Sequence, residues 1–127
     1  MARYLLDTNI IIDVLTGRKG RSALLERLLE ERHLLATCAI VVSEVYAGMR
    51  PAEEAKTAAL LDSMEFLPIT RFVAKDAGII RREFATKGMP LAITDATIAA
   101  AALAHECILV TANTKDFPSP GLQLYPL

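Results

Sequence analysis

The sequence predicts an α/β fold, a parallel sheet with helices on both sides, and two observations carry that reading. Short continuous apolar runs at Tyr4-Leu5-Leu6, Leu34-Leu35-Ala36-Thr37 and Cys107-Ile108-Leu109-Val110-Thr111 suit strands buried on both faces. Between them lie segments whose apolar residues repeat at helical spacing. At 127 residues the chain reads as a single domain, 1–127, long enough to bury a core without metal or disulfide staples.

The elements follow in order. The first strand ends at Asp7. From Arg21 to Arg32, Leu24, Leu25, Leu28 and Leu29 form an inner stripe while Glu26, Arg27, Glu30 and Glu31 fall outside it, which is an amphipathic helix. The strand at Leu34 leads into a helix from about Ala39 to Met49. Pro51, with Glu53 and Glu54 behind it, marks a helix start running to about Ser63, because proline needs no N–H there and acids favour the positive end of the helix dipole. An edge strand is expected at Glu65 to Leu67. Thr70 caps the next helix, with Val73, Ala77, Ile80 and Phe84 facing inward and Gly88 closing the end. After the Met89-Pro90 loop, Thr94 is expected to cap an alanine-rich helix ending near His105. The strand from Cys107, the turn-rich Pro118-Ser119-Pro120-Gly121 and an edge strand at Leu122 to Tyr125 complete the chain.

Composition excludes several classes of protein. Apolar stretches such as Ala96 to Ala104 are short and interrupted by Thr97, far below the ~18–20 residues of a bilayer span. The start, Met1-Ala2-Arg3 and then a strand, has neither the length nor the cleavage site of a secretory signal, so a cytoplasmic protein is expected. Cys38 and Cys107 fit no disulfide framework and no zinc spacing and read as buried free thiols. With only His33 and His105, both read as helix-end residues, a histidine-rich metal site is excluded. Fourteen basic residues against fifteen acidic ones leave no global positive field, so any nucleic acid must be held by a local patch.

Chemistry is expected just past the carboxyl ends of the strands, where ligands of parallel α/β sheets bind. Asp7 stands there, and Asp116 follows the strand ending at Thr111. Either alone reads more simply as a helix cap or a turn former than as a functional acid. Glu44 is less easily explained, since on its helix it shares a face with Ile40, Val41, Val45 and Gly48. Asp95 lies on one side of its helix with Ile98, Ala99 and Ala102, although an acid in a first turn also suits the dipole. Four carboxylates at one end of a sheet repel, by about 4 kcal/mol for two unit charges ~4 Å apart at an effective dielectric of ~20, and so call for a counter-charge. Oxygen ligands without histidine or thiolate select a hard cation such as Mg²⁺ or Mn²⁺. Such a cation beside a phosphate is machinery for phosphodiester hydrolysis, with Thr8, Asn9, Thr111 and Asn113 orienting water and ligands around it.

The segments Asp7-Thr8-Asn9, Ser43-Glu44-Val45-Tyr46-Ala47-Gly48, Thr94-Asp95-Ala96-Thr97-Ile98-Ala99-Ala100-Ala101-Ala102 and Leu109-Val110-Thr111-Ala112-Asn113-Thr114-Lys115-Asp116-Phe117 together resemble the motifs of PIN-domain ribonucleases, specifically the VapC toxins of toxin–antitoxin pairs. The resemblance spans nearly the whole chain. It implies a three-layer α/β/α fold with a central, mainly parallel five-stranded sheet. It also implies Mg²⁺ or Mn²⁺ bound by Asp7, Glu44, Asp95 and Asp116, with Asn9 and Thr111 at supporting polar positions. Cleavage of RNA leaving a 5′-phosphate, a homodimer, and inhibition by a VapB-like antitoxin whose C-terminal segment enters the acidic groove follow from it as well.

Rival readings fit less well. A receiver-like signalling domain wants paired acids at the first strand end, where only Asp7 stands. A phosphatase of the haloacid dehalogenase type wants an acid where Asn9 is found. A catalytically silent binding module of the same fold has no use for four acids. The acids cannot attract RNA, so bases are sought nearby: Arg18, Lys19 and Arg21 cluster in one loop, while Arg71, Lys75 and Arg82 read as a solvated helix face. Tyr46 reads as helix-surface packing, with base stacking as the other possibility. Leu60, Leu61 and Met64 are candidates for a dimer face.

Overall fold

Short runs of buried aliphatic residues become strands when helices cover both sides of them, and the computed structural model, which describes residues 1–127, has that arrangement. Its elements run β1 (Arg3–Leu6), α1 (Thr8–Leu15), α2 (Arg21–Glu30), β2 (Leu34–Cys38), α3 (Ala39–Gly48), α4 (Glu54–Asp62), β3 (Glu65–Leu67), α5 (Arg71–Thr86), α6 (Ile93–Ala104), β4 (Ile108–Val110) and β5 (Gln123–Leu124). Single 3₁₀ turns at Pro51–Glu53 and Thr114–Asp116 precede α4 and follow β4. The strands form one sheet in the order β3-β2-β1-β4-β5 with every pairing parallel, so the expected α/β/α architecture is present and the sheet is parallel throughout.

The topology decides where a site can form. Strands are added from β1 through β2 to β3 on one side, and the chain then returns to add β4 and β5 on the other. Parallel crossovers are right-handed almost without exception, so the reversal sends α5 and α6 to the opposite face from α1–α4. Between β1 and β4 the connections diverge, and there a crevice opens at the carboxyl ends. Leu5 pairs with both Ala36 and Leu109, and Leu6 with Val110, which sets Asp7 and Thr111 beside each other past the strand ends.

Packing explains the alanine-rich α6. Ala96 through Ala102 are all buried, and so many small side chains let α6 lie close both to α5 and to the sheet. A buried helix needs no polar face. Leu5, Leu6, Ile10, Ile11, Leu28, Leu67, Ile98 and Leu109 fill the space between the layers with under 2–3 % of their surface exposed.

One helix is added to the expected elements and two local expectations are corrected. Helix α1 falls where the sequence assigns no element: the Asp7 side chain accepts a hydrogen bond from the Thr8 N–H at 2.8 Å and, as the helix cap that is one reading of it, starts a helix through the β-branched Ile10-Ile11-Ile12. Helix α6 begins at Ile93 with Ala92 as its cap, so Thr94 lies inside the first turn and does not cap it. Leu61 and Met64 are buried at 6 % and 8 % exposure, so they belong to the core and offer no dimer face, and Leu60 packs against that core. Cys38 and Cys107 are buried free thiols as expected. His105 caps the end of α6 and His33 follows α2, both half-buried.

Because α6 is packed on every side, Ala101→Leu is expected to destabilise the protein by about 1–3 kcal/mol through overpacking. Urea denaturation checks this, and an unchanged midpoint would contradict the close packing.

Candidate active site

Asp7 is where the fold and the site meet. Its N–H donates to the Val110 carbonyl at 2.9 Å, continuing the β1–β4 ladder, and its carbonyl accepts from the N–H groups of Ile10 and Ile11, opening α1. Strand end and helix start therefore share one residue. Its side chain, at 5 % exposure, accepts from the Thr8 N–H at 2.8 Å through Oδ1. Its Oδ2 accepts from the Thr111 hydroxyl at 2.7 Å and from the Asn9 amide at 3.1 Å.

The polar residues around it form one network. Asn9 also accepts from the Ala112 N–H at 3.1 Å, joining α1 to the turn after β4. The Thr111 hydroxyl accepts from the Asn113 N–H at 3.0 Å while donating to Asp7, so its lone pairs and its proton are all used. Thr8 donates its hydroxyl to Glu44 Oε1 at 2.7 Å and so fixes the glutamate of α3 against the start of α1. Asn113 acts through its main chain here, and its exposed side chain makes no hydrogen bond in this network.

Asp95, in the first turn of α6, is half-buried and accepts no hydrogen bond from a protein side chain or main chain. Burial pushes its carboxyl up from 3.8 to about 6, and the negative charges of Asp7, Asp116 and Glu44 add to the rise in that order. The other three acids named by sequence therefore all act on Asp95, although they come from the end of β1, from α3 and from the turn after β4. No basic side chain offsets them. The ion pairs of the chain are Arg3–Glu65, Arg21–Asp13 and His33–Glu31, none involving the four.

The gathering is looser than the cage expected from sequence. No three His, Cys, Asp or Glu side chains stand close enough to hold a metal ion jointly. A fully protein-ligated ion is thus not what these residues fit. The oxygen-only donor set, uncompensated charge and neutral hydrogen-bond donors suit a hard divalent cation that keeps much of its water and takes one or two carboxylates directly. Thiolate chemistry has no place here, since burial raises Cys107 to about 11 and raises Cys38 as well.

The remaining sequence candidates separate. Lys19 and Arg21 line a cavity of about 530 Å³ that also touches Thr111, whereas Arg18 is exposed and outside it. Tyr46 lines a different cavity with Thr37, Val42, Leu61, Asp62, Met64 and Phe66, and none of the four acids lines it. Arg71, Lys75 and Arg82 are exposed without ion pairs, as a solvated face should be. The cavity beside Thr111 is walled by Leu124, Tyr125, Pro126 and Leu127, none of which the sequence marks, because only the pairing of β5 with β4 brings them there.

The Asp95 carboxyl binds its proton more tightly in the folded than in the unfolded protein, so without metal its contribution to stability is greatest below the ordinary value of 3.8. That contribution is lost as pH rises through about 6. The stability of wild type relative to Asp95→Asn should therefore fall between those two values and level off above them. Urea unfolding in EDTA across this range measures the difference, and a pH-independent one would contradict the crowding of the acids.

Comparison with known proteins bears on the same residues. Residues 4–120 match the PIN domain family, which takes in β1 and the strand-end acids through the turn after Asp116. Ribonuclease VapC19 of Mycobacterium tuberculosis is 30 % identical over 120 residues, 94 % of this chain and 96 % of that protein. Among solved structures, a VapBC2 complex from Rickettsia felis bound to a DNA fragment from its promoter superposes with a TM-score of 0.85 at 28 % identity, covering 97 % of both chains. A toxin–antitoxin complex from Klebsiella pneumoniae gives 0.81 at 30 % identity over 98 % of both. The parallel sheet, the strand-end acids and these likenesses agree: the chain belongs to the PIN-domain family and, within it, to the VapC ribonucleases.

Proposed function

We propose that this protein is the toxin of a type II toxin–antitoxin pair, an endoribonuclease that hydrolyses RNA with Mg²⁺ or Mn²⁺ held among Asp7, Glu44, Asp95 and Asp116, one or two of them as direct ligands and the others through the ion's water. The observation that carries this reading is the gathering of four carboxylates at the β1–β4 crevice, Asp7 and Glu44 fixed by neutral donors, Asp95 crowded by the other three, and none offset by a basic side chain. VapC ribonucleases are in general divalent-metal dependent, in keeping with that donor set.

A bound cation supplies Lewis acidity to the phosphodiester and to an attacking water. The chain's own residues prepare the place for it. Thr111 and Asn9 hold the Asp7 carboxylate in one orientation, and Thr8 holds Glu44, so two acids are set before anything binds. Asp95 is left without hydrogen bonds and keeps its lone pairs for a cation or its water. Asp116 adds negative charge from the turn after β4. The partner is a VapB-like antitoxin, supported by the toxin–antitoxin complexes among the structural neighbours. No helix is long and apolar enough to cross a membrane, and an RNA substrate and antitoxin partner suit the cytoplasm.

Asp7→Asn and Asp95→Asn are each expected to lower Mn²⁺-dependent cleavage by about a hundredfold or more, and EDTA to stop it in wild type. Gel analysis of labelled RNA incubated with the purified proteins checks both, and cleavage by either variant at the wild-type rate would refute the assignment.

A further inference from the structure

The acids that define the crevice are also its difficulty, because they repel the polyanion to be cut and the chain as a whole carries a formal charge of −1. A flanking region must hold RNA in place. The cavity of about 530 Å³ beside Thr111 is the one with the composition for it. Its lining includes two cations, Lys19 and Arg21, and no acid. Leu124, Tyr125, Pro126 and Leu127 line it as well, together with Thr111, Ala112 and Thr114.

The cationic wall is built into the backbone. Lys19 has φ of +54, left-handed for a residue with a Cβ, and sits between Gly17 and Gly20 at φ +68 and +64. Such a conformation at a non-glycine residue costs energy and is a mark of functional loops. Arg21 opens α2, whose first turn holds no acid, and it pairs through Nε with Asp13 Oδ2 at 3.5 Å, its side chain 14 % exposed. Lys19 makes neither an ion pair nor a side-chain hydrogen bond and is exposed. Tyr125 in the apolar part of the lining is held in place. Tyr125 meets Tyr4 edge-on with ring centroids 5.7 Å apart, and its hydroxyl accepts from Arg27 at 2.7 Å. Thr111 belongs to both places, since its hydroxyl holds Asp7 and its surface lines the cavity.

We propose that this cavity is the subsite for the RNA nucleotide next to the scissile one. Its phosphate lies against Lys19 and Arg21, and its base packs on the wall formed by Leu124, Tyr125, Pro126 and Leu127. Basic side chains and apolar ones lining the same cavity, in a volume within the range of small-molecule sites, suit a single-stranded nucleotide. Recognition here is of phosphate and ring face and carries no base code by itself. The inference rests on the ribonuclease reading, and the following experiment separates the two.

Full-length wild type, Lys19→Asn and Lys19→Arg are compared in Mn²⁺-dependent cleavage of a short single-stranded RNA and of a dinucleotide that has no flanking phosphate. Asparagine tolerates the left-handed backbone, so Lys19→Asn removes charge without straining the loop. Its KM for the longer RNA is expected to rise about fivefold with kcat unchanged, and the log–log salt dependence to become shallower by about 0.7. Lys19→Arg restores both, and the dinucleotide does not distinguish the three proteins. An unchanged KM and salt slope for Lys19→Asn in a cleaving enzyme, or an equal loss on the dinucleotide, overturns the subsite and leaves the nuclease intact. Weakened binding of an antitoxin with RNA cleavage unaffected overturns it too, assigning the cavity to protein. Absence of Mn²⁺-dependent cleavage by wild type removes the ribonuclease reading and the subsite with it.

Discussion

A carboxylate with 5 % of its surface exposed has lost most of its water and must be compensated by something else, and Asp7 is compensated by neutral donors alone. A main-chain N–H, a threonine hydroxyl and an asparagine amide supply its hydrogen bonds. Those same bonds start α1, fix the turn after β4 and join the two halves of the sheet at its switch point. Structure and site therefore depend on one side chain. The helix missing from the sequence reading exists because of it, and Thr8, one residue on, carries the orientation to Glu44 in α3.

The sheet order gives this arrangement its reach. Strands β1 and β4 are neighbours although roughly a hundred residues separate them, so Asp7 and Thr111 meet across the crevice. Helices α3 and α6 touch each other, and they carry Glu44 and Asp95. Buried alanines in α6 allow that approach, which links the composition of a core helix to the position of an acid. The outcome is negative charge that the protein does not neutralise. Proteins tolerate such charge where something from outside completes it, and at Asp95 burial first and the three neighbouring acids after it raise the carboxyl.

Much of this was legible in sequence, for reasons that particular residues make plain. The buried strands announced themselves because runs such as Ile108-Leu109-Val110 have no polar face to confuse the period. Glu44 and Asp95 stood out because a short acid on an apolar helix face is a local contradiction. What failed was local chemistry that competes with propensity. Three successive β-branched isoleucines, Ile10 to Ile12, carry no helical signal of their own, and only the capping by Asp7 makes them a helix. Thr94 has the chemistry of a cap, but the helix starts before it. Leu60, Leu61 and Met64 could not be sorted into surface and core without knowing what packs on α4, and two of them proved buried. The cage of acids foreseen from sequence is a looser cluster, because motif order fixes which residues approach but not how closely. The cavity wall at Leu124 to Leu127 was beyond reach, since its place depends on the pairing of β5 with β4.

The central claim is that the uncompensated charge at the β1–β4 crevice exists to hold a divalent cation. Anomalous diffraction from crystals of the wild-type protein soaked in manganese chloride tests it most directly. A manganese peak beside the Asp7 and Asp95 carboxylates is predicted, and a peak elsewhere on the molecule with none among the four acids would contradict it.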